Sequence, residues 1–280
     1  MDNKAWWYID GRWVHPDHAT ISINDIAVLR GYSVFESLRT YYRRPFHLDE
    51  HLTRLYRSAV LIEITIPLSS AQIAEVIREI IARNTYLHAS IRLLVTGGVS
   101  EDGILPSGIP TLVVMITQLG ERDMEGFAKG CKLITTKLQR ISPEAKTANY
   151  IAAVRALKEA VRRGAADALF INEREHVLEA TRSNFFIFRG DTLITPHRGI
   201  LMGITRNVVL ELARGRFAVE ERPIMLEELA LADEAFITSS SKEITPAVQI
   251  DDLMIRDGKP GPRTNQLEQL FIEMVERAEF

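Results

Sequence analysis

In the first half of the chain, stretches in which apolar and polar residues alternate are interrupted by turn residues. The segment WWYIDGRWV predicts two strands joined by Asp10-Gly11, a dipeptide suited to the tight turn of a hairpin. SVFESLRTYYRRPFHL predicts another hairpin, which turns near Arg43-Arg44-Pro45. Two apolar strands, ASIRLLVTG and TLVVMITQL, follow later and are separated by a glycine-rich loop.

Between the second hairpin and these strands, apolar residues recur at nearly helical spacing and predict two helices. The first helix is marked by Leu52, Leu55, Ala59 and Leu61-Ile62. Ser69 and Gln72 fit a capping box, in which each side chain accepts a hydrogen bond from the backbone amide of the other residue. The second helix that this box opens carries Ile73, Val76, Ile77 and Ile80.

The polar stretch GERDMEGFAKG, residues 120 to 130, is the best candidate for a domain junction. The elements predicted beyond it are a strand over Lys132 to Leu138, a helix from about Thr147 to Arg163 closed by Gly164, strands DALFIN and SNFFIF, a helix in GITRNVVLELARG, a strand EAFITSSS and a closing helix from Thr264. The pattern therefore predicts an α+β chain with a small domain over residues 1–119, a linker over 120–126 and a larger domain over 127–280.

Composition narrows the classes of partner. The chain has 34 basic and 37 acidic residues, so it lacks the basic surface that nucleic acid requires. A single cysteine, Cys131, excludes an intramolecular disulfide and suits a reducing compartment. The first residues lack the pattern of a secretion signal, and no apolar run approaches the length of a membrane span. We therefore expect a cytoplasmic protein that binds neither nucleic acid nor a membrane, and no metal site is predicted.

Candidate chemistry begins with the lysine in SPEAKTANY, Lys146, at the predicted start of a helix. A lysine amine attacks carbonyl groups only when it is unprotonated, so a catalytic lysine needs surroundings that lower its pKa. Pyridoxal phosphate is the cofactor that most often recruits a lysine in this way, through a Schiff base to its aldehyde. Such a site also needs a carboxylate facing the pyridine nitrogen and a set of donors for the phosphate.

The sequence offers candidates for each of these requirements. Glu179, in LEATRSNFF, lies between two apolar strands, where a buried carboxylate needs a cationic partner. Gly203 precedes a predicted helix whose first free amides, those of Ile204 and Thr205, can hold phosphate oxygens. Two further sources of phosphate donors are the hydroxyls of serines 239–241 and the guanidinium group of Arg54.

Each of these residues also has an ordinary structural explanation. Lys146 alone is more often a solvated lysine at a helix start, and Glu179 alone more often lies near solvent in a turn. The segment GITR is usually only a helix start, a run of serines is usually a loop, and an arginine in HLTRL most often covers a surface with its stem. The order and spacing of the residues together favour the cofactor site.

The ordered segments RGYSVFESLRTY, HLTRL, LQRISPEAKTANY, EATRSNFF, ILMGITR and DEAFITSSSKEITP resemble those of fold-type IV pyridoxal-phosphate enzymes. This group contains branched-chain aminotransferases, D-amino-acid aminotransferases and aminodeoxychorismate lyase. The resemblance extends over nearly the whole chain. It implies a small N-terminal α/β domain, a larger C-terminal α/β pseudo-barrel domain and a homodimer in which loops of one subunit complete the site of the other.

The resemblance also implies roles for individual residues. Lys146 forms the Schiff base with pyridoxal 5'-phosphate and transfers the proton of the substrate α-carbon. Glu179 pairs with the pyridine nitrogen, Tyr150 binds the ring hydroxyl, and Leu201 packs against the ring. The phosphate is bound by Arg54, Ile204, Thr205 and Ser240.

The resemblance implies that the substrate is a small or aliphatic amino acid, with a 2-oxo acid such as 2-oxoglutarate as acceptor. Branched-chain enzymes usually have an aromatic residue where this chain has Arg30, and a proline where SIRLLVTGG continues without one. D-amino-acid enzymes usually carry an arginine and a histidine in the following loop, yet GVSEDGILP has neither. We expect Arg30 and Arg92 to bind the substrate carboxylate, with Ser241 beside it.

The RGY, IR and TGG elements are similar to an atypical branch of D-amino-acid aminotransferases, which slightly favours a D-amino acid donor. Asn149-Tyr150 is similar to the branched-chain enzymes, so that function stays an alternative. Alternatively, Arg30 pairs with Glu36 or Asp25, and Arg92 faces solvent. The remaining alternatives for the function of the chain are an aminodeoxychorismate lyase, a non-catalytic cofactor-binding module and a structural protein without cofactor.

Overall fold

The computed structural model describes residues 5–120 and 124–280, which form two compact units. The first unit contains residues 5–120 together with Ala145–Asn149, here called the lysine segment. The second contains residues 124–144 and 150–280. The sequence prediction placed the lysine segment in the second domain. Of the predicted linker, residues 121–123 lie outside the described residues, and Met124 already begins a helix.

The strands of the first unit form one sheet. Their bounds are β1 Trp7–Ile9, β2 Arg12–Val14, β3 Ser33–Tyr41, β4 Arg44–Pro45, β5 Ala89–Thr96 and β6 Leu112–Gln118. Within the described residues the spatial order is β2-β1-β6-β5-β3-β4, and all neighbouring pairs are antiparallel. Its helices are α1 Ile26–Arg30, α2 Leu48–Leu61 and α3 Ser70–Arg83.

Both predicted hairpins of this unit are present. Asp10 and Gly11 have φ of 42° and 82°, the left-handed conformation that a tight hairpin turn needs at its two central residues. In the second hairpin the left-handed residues are Tyr42 and Arg43, with φ of 51° and 64°. The turn thus lies slightly before the predicted Arg43-Arg44-Pro45, because Arg44 and Pro45 already pair with Tyr41 and Thr40.

Helices α2 and α3 cover one face of the sheet. The capping box predicted from Ser69 and Gln72 is confirmed, since each side chain accepts a hydrogen bond from the other residue's amide. The core that the helices form with the sheet includes Leu52, Leu55, Ile73, Ile77, Ile80, Leu38, Ile91, Leu93 and Val95. Because strand residues alternate between faces, Arg92 points to the opposite face and is exposed.

The second unit contains a larger mixed sheet and four helices within its described residues. Its strands are β7 Cys131–Lys137, β8 Asp167–Ile171, β9 His176–Ala180, β10 Asn184–Arg189, β11 Thr192–Thr195, β12 Ala218–Glu221, β13 Ile224–Met225, β14 Glu234–Ser239, β15 Glu243–Ile250 and β16 Leu253–Met254. Its helices are α4 Met124–Lys129, α5 Ile151–Arg162, α6 Ile204–Ala213 and α7 Pro262–Glu276, with a 3-10 helix at Leu226–Leu231.

The strands of the second unit close into a ring. The order is β12-β11-β10-β14-β15-β7-β8-β9-β13, and β9 also pairs with β10 through Glu179 and Asn184. The path β10-β14-β15-β7-β8-β9 therefore returns to its start, as a barrel requires. This closure confirms the predicted pseudo-barrel and places Glu179 at the position where the ring closes.

The helix predicted from about Thr147 to Arg163 begins later than expected, at Ile151. Lys146 and Ala148 instead make backbone hydrogen bonds to the edge of β3, and backbone groups used in this way cannot continue a helical ladder. Lys146 is therefore carried by an extended segment. The prediction also omitted β9, in which Glu179 lies, and β15.

Among the described residues, no helix has both the length and the apolar character needed to cross a membrane. The longest of the apolar stretches are strands in the two sheets, where their side chains fill the cores.

Ser69→Ala should lower the free energy of unfolding by about 1 kcal/mol, because the capping side chain that accepts the amide hydrogen bond of Gln72 is lost. Chemical denaturation measures this change. Ser70→Ala, one residue further along the same helix, is the matched control and should change the free energy of unfolding by much less. Equal effects of the two substitutions would contradict the role of the capping box.

Candidate active site

The lysine segment is an added edge of the first sheet. The amide of Phe35 donates to the carbonyl of Lys146 at 2.9 Å, and the amide of Ala148 donates to the carbonyl of Ser33 at 3.0 Å. Val34 and Thr147 form an antiparallel bridge. Lys146 is therefore directly opposite Phe35, and directly opposite residues of antiparallel strands project from the same face.

Lys146 is held through its backbone on two sides. Its carbonyl accepts from Phe35, and its amide donates to the hydroxyl of Ser58 on α2 at 3.1 Å. Ser58 is completely buried, so this bond is shielded from water. The side chain of Lys146 is half-buried, and its Nζ lies 4.6 Å from the centre of the Phe35 ring. The fold thus fixes where the lysine amine projects.

Arg92 lies on the same face of the sheet as Lys146. The strand register pairs Phe35 with Leu94 and Ser37 with Arg92. Arg92 is therefore two residues beyond the level of Phe35, about 7 Å along the strands. Its guanidinium also borders a cavity of about 490 Å³ that is lined partly by Trp7 and Met115.

Arg30 lies elsewhere in the first unit. It is the last residue of α1, is exposed, and donates from Nη1 to the carbonyl of Leu29 at 2.8 Å. The two proposed partners are engaged by other groups: Asp25 accepts from the amide of Ala27 and the hydroxyl of Thr96, and Glu36 binds Arg54. Arg30 is not among the residues that line the cavity beside Arg92, and joint binding of a carboxylate by the two arginines stays a prediction.

Arg54 forms a buried ion pair that the sequence prediction did not include. Its Nε and Nη2 donate to the two carboxylate oxygens of Glu36 at 2.7 and 2.8 Å. His51, one helical turn earlier on α2, contacts Glu36 Oε2 through Nδ1 at 2.8 Å. Glu36 and His51 are both fully buried. This cluster fixes the plane of the guanidinium group predicted to bind phosphate.

Glu36 and His51 of this cluster both have shifted pKa values. Burial alone raises the pKa of Glu36, but the charge of Arg54 and the hydrogen bonds from Arg54 and His51 outweigh burial and hold that pKa well below its usual range. The pKa of His51 is lowered, chiefly by burial, and the charges of Arg54 and Lys146 act in the same direction. Glu36 is therefore ionised and His51 is neutral near pH 7.

In the second unit, Glu179 is buried and held by its neighbours. Its Oε2 accepts from the amide of Leu201 at 3.1 Å and from Asn184 Nδ2 at 3.5 Å. Its Oε1 lies 3.4 Å from Nε of Arg140. The expectation of a cationic partner for Glu179 is thus met within the chain by Arg140, and pairing with the pyridine nitrogen stays a prediction.

The start of α6 has the features of an anion-binding helix terminus. Gly203 is the N-cap, followed by the buried residues Ile204 and Thr205, whose amides have no acceptor in the preceding turn of the helix. A Cβ at Gly203 would lie 2.1 Å from Oδ1 of Asn184, so the position has room only for glycine. The backbone therefore approaches closely, and its amides suit a phosphate.

The predicted serines form the turn between β14 and β15. Ser240 is half-buried and Ser241 is exposed, while Ser239 accepts the amide of Lys242 through its hydroxyl at 3.1 Å. Just before the turn, the buried hydroxyl of Thr238 has no hydrogen-bond partner among the described residues. Hydroxyl and amide donors of this kind fit the oxygens of a phosphate group.

Tyr150 is the N-cap of α5 and Arg140 is its neighbour. The guanidinium carbon of Arg140 lies 5.4 Å from the centre of the Tyr150 ring, within the range of a cation–π contact. Leu201 is buried, and its carbonyl accepts from Asn184 Nδ2 at 2.7 Å. Asn184 therefore connects Leu201, Glu179 and the approach to Gly203.

Sequence reasoning missed Glu36, His51, Ser58 and Asn184 as supports of the site. A signal for Glu36 is present in SVFESLRTY, because alternate residues Val34, Glu36 and Leu38 face the core and a core carboxylate requires a partner. The spacing of His51 and Arg54 places both on one face of α2. No comparable local pattern marks Asn184, whose role depends on the closure of the second sheet.

Comparison with known proteins identifies the family of the chain. The model of the family described as amino-transferase class IV matches residues 33–250, more than half of the chain. The chain belongs to the class IV aminotransferases. It is therefore a transaminase of a family that uses pyridoxal 5'-phosphate, as the donor groups around Gly203 and Thr238 suggest.

Among relatives of this aminotransferase, a Methanocaldococcus jannaschii protein with a provisional branched-chain-amino-acid aminotransferase name is 36% identical, with 94% of each chain covered. A D-alanine aminotransferase from Listeria monocytogenes is 33% identical, with 96% of each chain covered. Among solved structures, the Escherichia coli branched-chain amino acid aminotransferase has a TM-score of 0.91 at 27% identity, covering 97% of this chain and 95% of that one. The predicted fold-type IV architecture is confirmed.

The stability of the first unit should fall as the pH is lowered. His51 has a lowered pKa in the folded chain, so below about pH 6.5 the unfolded chain binds a proton that the folded chain does not. Glu36 adds a second loss below about pH 4.5, since its contribution is complete above the usual glutamate pKa and disappears as the carboxylate is protonated.

Urea denaturation at pH 7.5, 6.0 and 5.0 measures this dependence. His51→Gln should make the free energy of unfolding less dependent on pH between 6.5 and 5.0, whereas His18→Gln, at an exposed histidine, should leave the slope unchanged. A wild-type slope of zero over this range would contradict the buried neutral histidine.

Proposed function

We propose that Lys146 is the catalytic lysine of this aminotransferase and that its amine binds pyridoxal phosphate. The observation that carries this proposal is the position of Lys146. Its backbone is held by Phe35 and Ser58, and its side chain projects over the sheet face on which Arg92 also lies. A fixed amine on the same sheet face as a cation suits a substrate that carries a carboxylate.

Bound pyridoxal phosphate supplies an aldehyde that links to amines and a ring that withdraws electrons from the substrate α-carbon. In this proposal the amine of Lys146 first holds the cofactor and is then released to accept the α-proton and return it. Glu179 keeps a proton on the ring nitrogen, since Leu201 and Asn184 hold its carboxylate in place. Tyr150 binds the ring hydroxyl, and the side chain of Leu201 packs against the ring.

Four residues are assigned to the phosphate group by the family resemblance. The amides of Ile204 and Thr205 and the hydroxyl of Ser240 come from the second unit. Arg54 comes from the first, where Glu36 and His51 orient its guanidinium group. Glu36 offsets the charge of Arg54, so the backbone amides and hydroxyls supply much of the recognition.

For the substrate, we propose a small or aliphatic amino acid as donor and a 2-oxo acid such as 2-oxoglutarate as acceptor, with a D-amino acid slightly favoured. Arg92 on the lysine face supports a carboxylate contact, and a D-alanine aminotransferase is among the relatives. Ser241 and Arg30 are assigned to the substrate by sequence resemblance. The second candidate is a branched-chain L-amino acid, which Asn149-Tyr150 and the similarity to branched-chain enzymes favour.

Two half-reactions in one pocket give ping-pong kinetics, because the first product leaves before the second substrate binds. A homodimer and a cytoplasmic location complete the proposal. Sedimentation of the purified protein and fractionation of the producing cells test these two points.

Lys146→Ala should reduce turnover by at least about a thousandfold, because no other amine replaces the proton transfer, while the phosphate donors still retain some cofactor. Stopped-time transamination assays and the visible spectrum of the bound cofactor measure the two effects. Lys158→Ala, at an exposed lysine of α5, is the control and should retain wild-type turnover. Normal turnover in Lys146→Ala would remove the assignment.

A donor panel distinguishes the substrate candidates. The D and L forms of alanine, glutamate, valine and leucine are each supplied with 2-oxoglutarate, or with pyruvate where glutamate is the donor, and the amino acid product is measured. We expect D-alanine or another D-amino acid to give the highest kcat/KM, and Arg92→Ala to raise KM for that donor. Preference for L-valine and L-leucine would instead establish the branched-chain function. Pyruvate release from aminodeoxychorismate without an oxo-acid acceptor would identify a lyase.

A further inference from the structure

Asp167 is a buried carboxylate of the second unit that the proposed chemistry does not use. It begins β8 and is completely buried. Its Oδ1 accepts the amides of Ala168 and Thr181 at 2.9 and 3.2 Å, and also the hydroxyl of Thr181. Its Oδ2 has no hydrogen-bond partner among the described residues but lies 3.5 Å from Nζ of Lys242. Since an unpaired buried carboxylate is costly, Lys242 is the group that offsets its charge.

One branch from Asp167 leads to Glu179. Thr181 lies two residues after Glu179, and its carbonyl accepts from Nη2 of Arg140 at 2.6 Å. Arg140 in turn places Nε at 3.4 Å from Oε1 of Glu179. Asp167 therefore holds the loop whose carbonyl orients the guanidinium group beside Glu179.

The other branch leads to the serine turn. The amide of Lys242 donates to Ser239 Oγ at 3.1 Å, and its carbonyl accepts from Thr245 Oγ1 at 3.0 Å. The backbone of Lys242 is thus an integral part of the turn that contains Ser240. The ammonium group of Lys242 lies near the buried carboxylate of Asp167 on β8, and this contact anchors the turn.

We propose that Asp167 is a positioning residue that connects the loop after Glu179 to the turn carrying Ser240, and so sets the spacing between the groups for the cofactor ring and for its phosphate. This inference rests on the roles assigned to Glu179 and Ser240 under the proposed function. The connection has an ion pair at each end, Lys242 with Asp167 and Arg140 with Glu179, and Thr181 joins the two pairs by hydrogen bonds.

The test uses the full chain freed of cofactor, with three variants: Asp167→Asn, Lys242→Met and both together. Dissociation constants are measured by equilibrium titration with pyridoxal phosphate and with pyridoxal, which lacks the phosphate. Urea denaturation of the same cofactor-free proteins reports stability. The matched control is Glu234→Gln, which neutralises another buried carboxylate of this unit, one that accepts the amide of Thr264 at 2.8 Å and the nearby hydroxyl.

We expect Asp167→Asn to raise the dissociation constant of both ligands about tenfold, because the charge that attracts Lys242 is lost and the neutral amide oxygen is a weaker acceptor for Thr181. Lys242→Met should weaken pyridoxal phosphate by a similar factor and pyridoxal much less, since only the serine turn is released. The double variant should be no weaker than Asp167→Asn, because the two residues act through one contact. Glu234→Gln should lower stability and leave both constants unchanged.

If Asp167→Asn and Lys242→Met only lower stability and keep both constants within about twofold of the wild type, Asp167 is a structural residue and the inference is overturned. If Asp167→Asn fails to fold, the test rests on Lys242→Met, because the side chain of Lys242 is partly exposed and tolerates substitution. In that variant the dissociation constant of pyridoxal phosphate must rise more than that of pyridoxal. If Glu179→Gln leaves the visible spectrum of the bound cofactor unchanged, the proposed role of Glu179 fails, and this inference fails with it. If Asp167→Asn binds both ligands weakly and Glu179→Gln changes the spectrum of the bound cofactor, the results support both the role of Glu179 and this inference.

Discussion

The backbone pairing between the lysine segment and the edge of β3 is the constraint on which the rest of the site depends. Two hydrogen bonds fix Lys146 opposite Phe35, and Ser58 fixes its amide from the helix behind. The side chain is then the only part of Lys146 left to move. A lysine at a helix start, as the sequence suggested, would have had a fraying backbone; an edge residue of a buried sheet has a fixed one.

Buried ion pairs have a different role in each of the two units. In the first unit, the buried carboxylate of Glu36 binds the guanidinium group of Arg54 and the neutral imidazole of His51, and so orients Arg54. The ion pair is stabilised because both carboxylate oxygens of Glu36 accept hydrogen bonds. In the second, the ring of strands closes at Glu179, so the carboxylate is positioned by the topology of the sheet and then adjusted by Leu201, Asn184 and Arg140. Both arrangements place charge where water cannot screen it.

Local patterns sufficed for the hairpin turn at Asp10-Gly11, the capping box at Ser69 and the helix start at Gly203, because each is determined by residues within a few positions of one another. The family resemblance supplied Lys146 and Glu179. What the sequence could not provide were partners distant along the chain, such as Ser58 with Lys146 or Asp167 with Lys242. The apolar period around Thr147 favoured a helix, and tertiary hydrogen bonds to β3 overrode it. Arg30 ends α1 and Arg92 lies in β5, and their joint role in binding a carboxylate stays a prediction.

The first unit is discontinuous, since Ala145–Asn149 joins it only after a stretch that belongs to the second. On the ribosome, the nascent chain would complete β3, β5 and β6 well before residue 149 emerges. Until then the amide of Phe35 and the carbonyl of Ser33 form an open strand edge, which is a place where another chain can add. Arrival of Lys146 closes that edge, so the residue proposed for catalysis also completes the unit as a folding body.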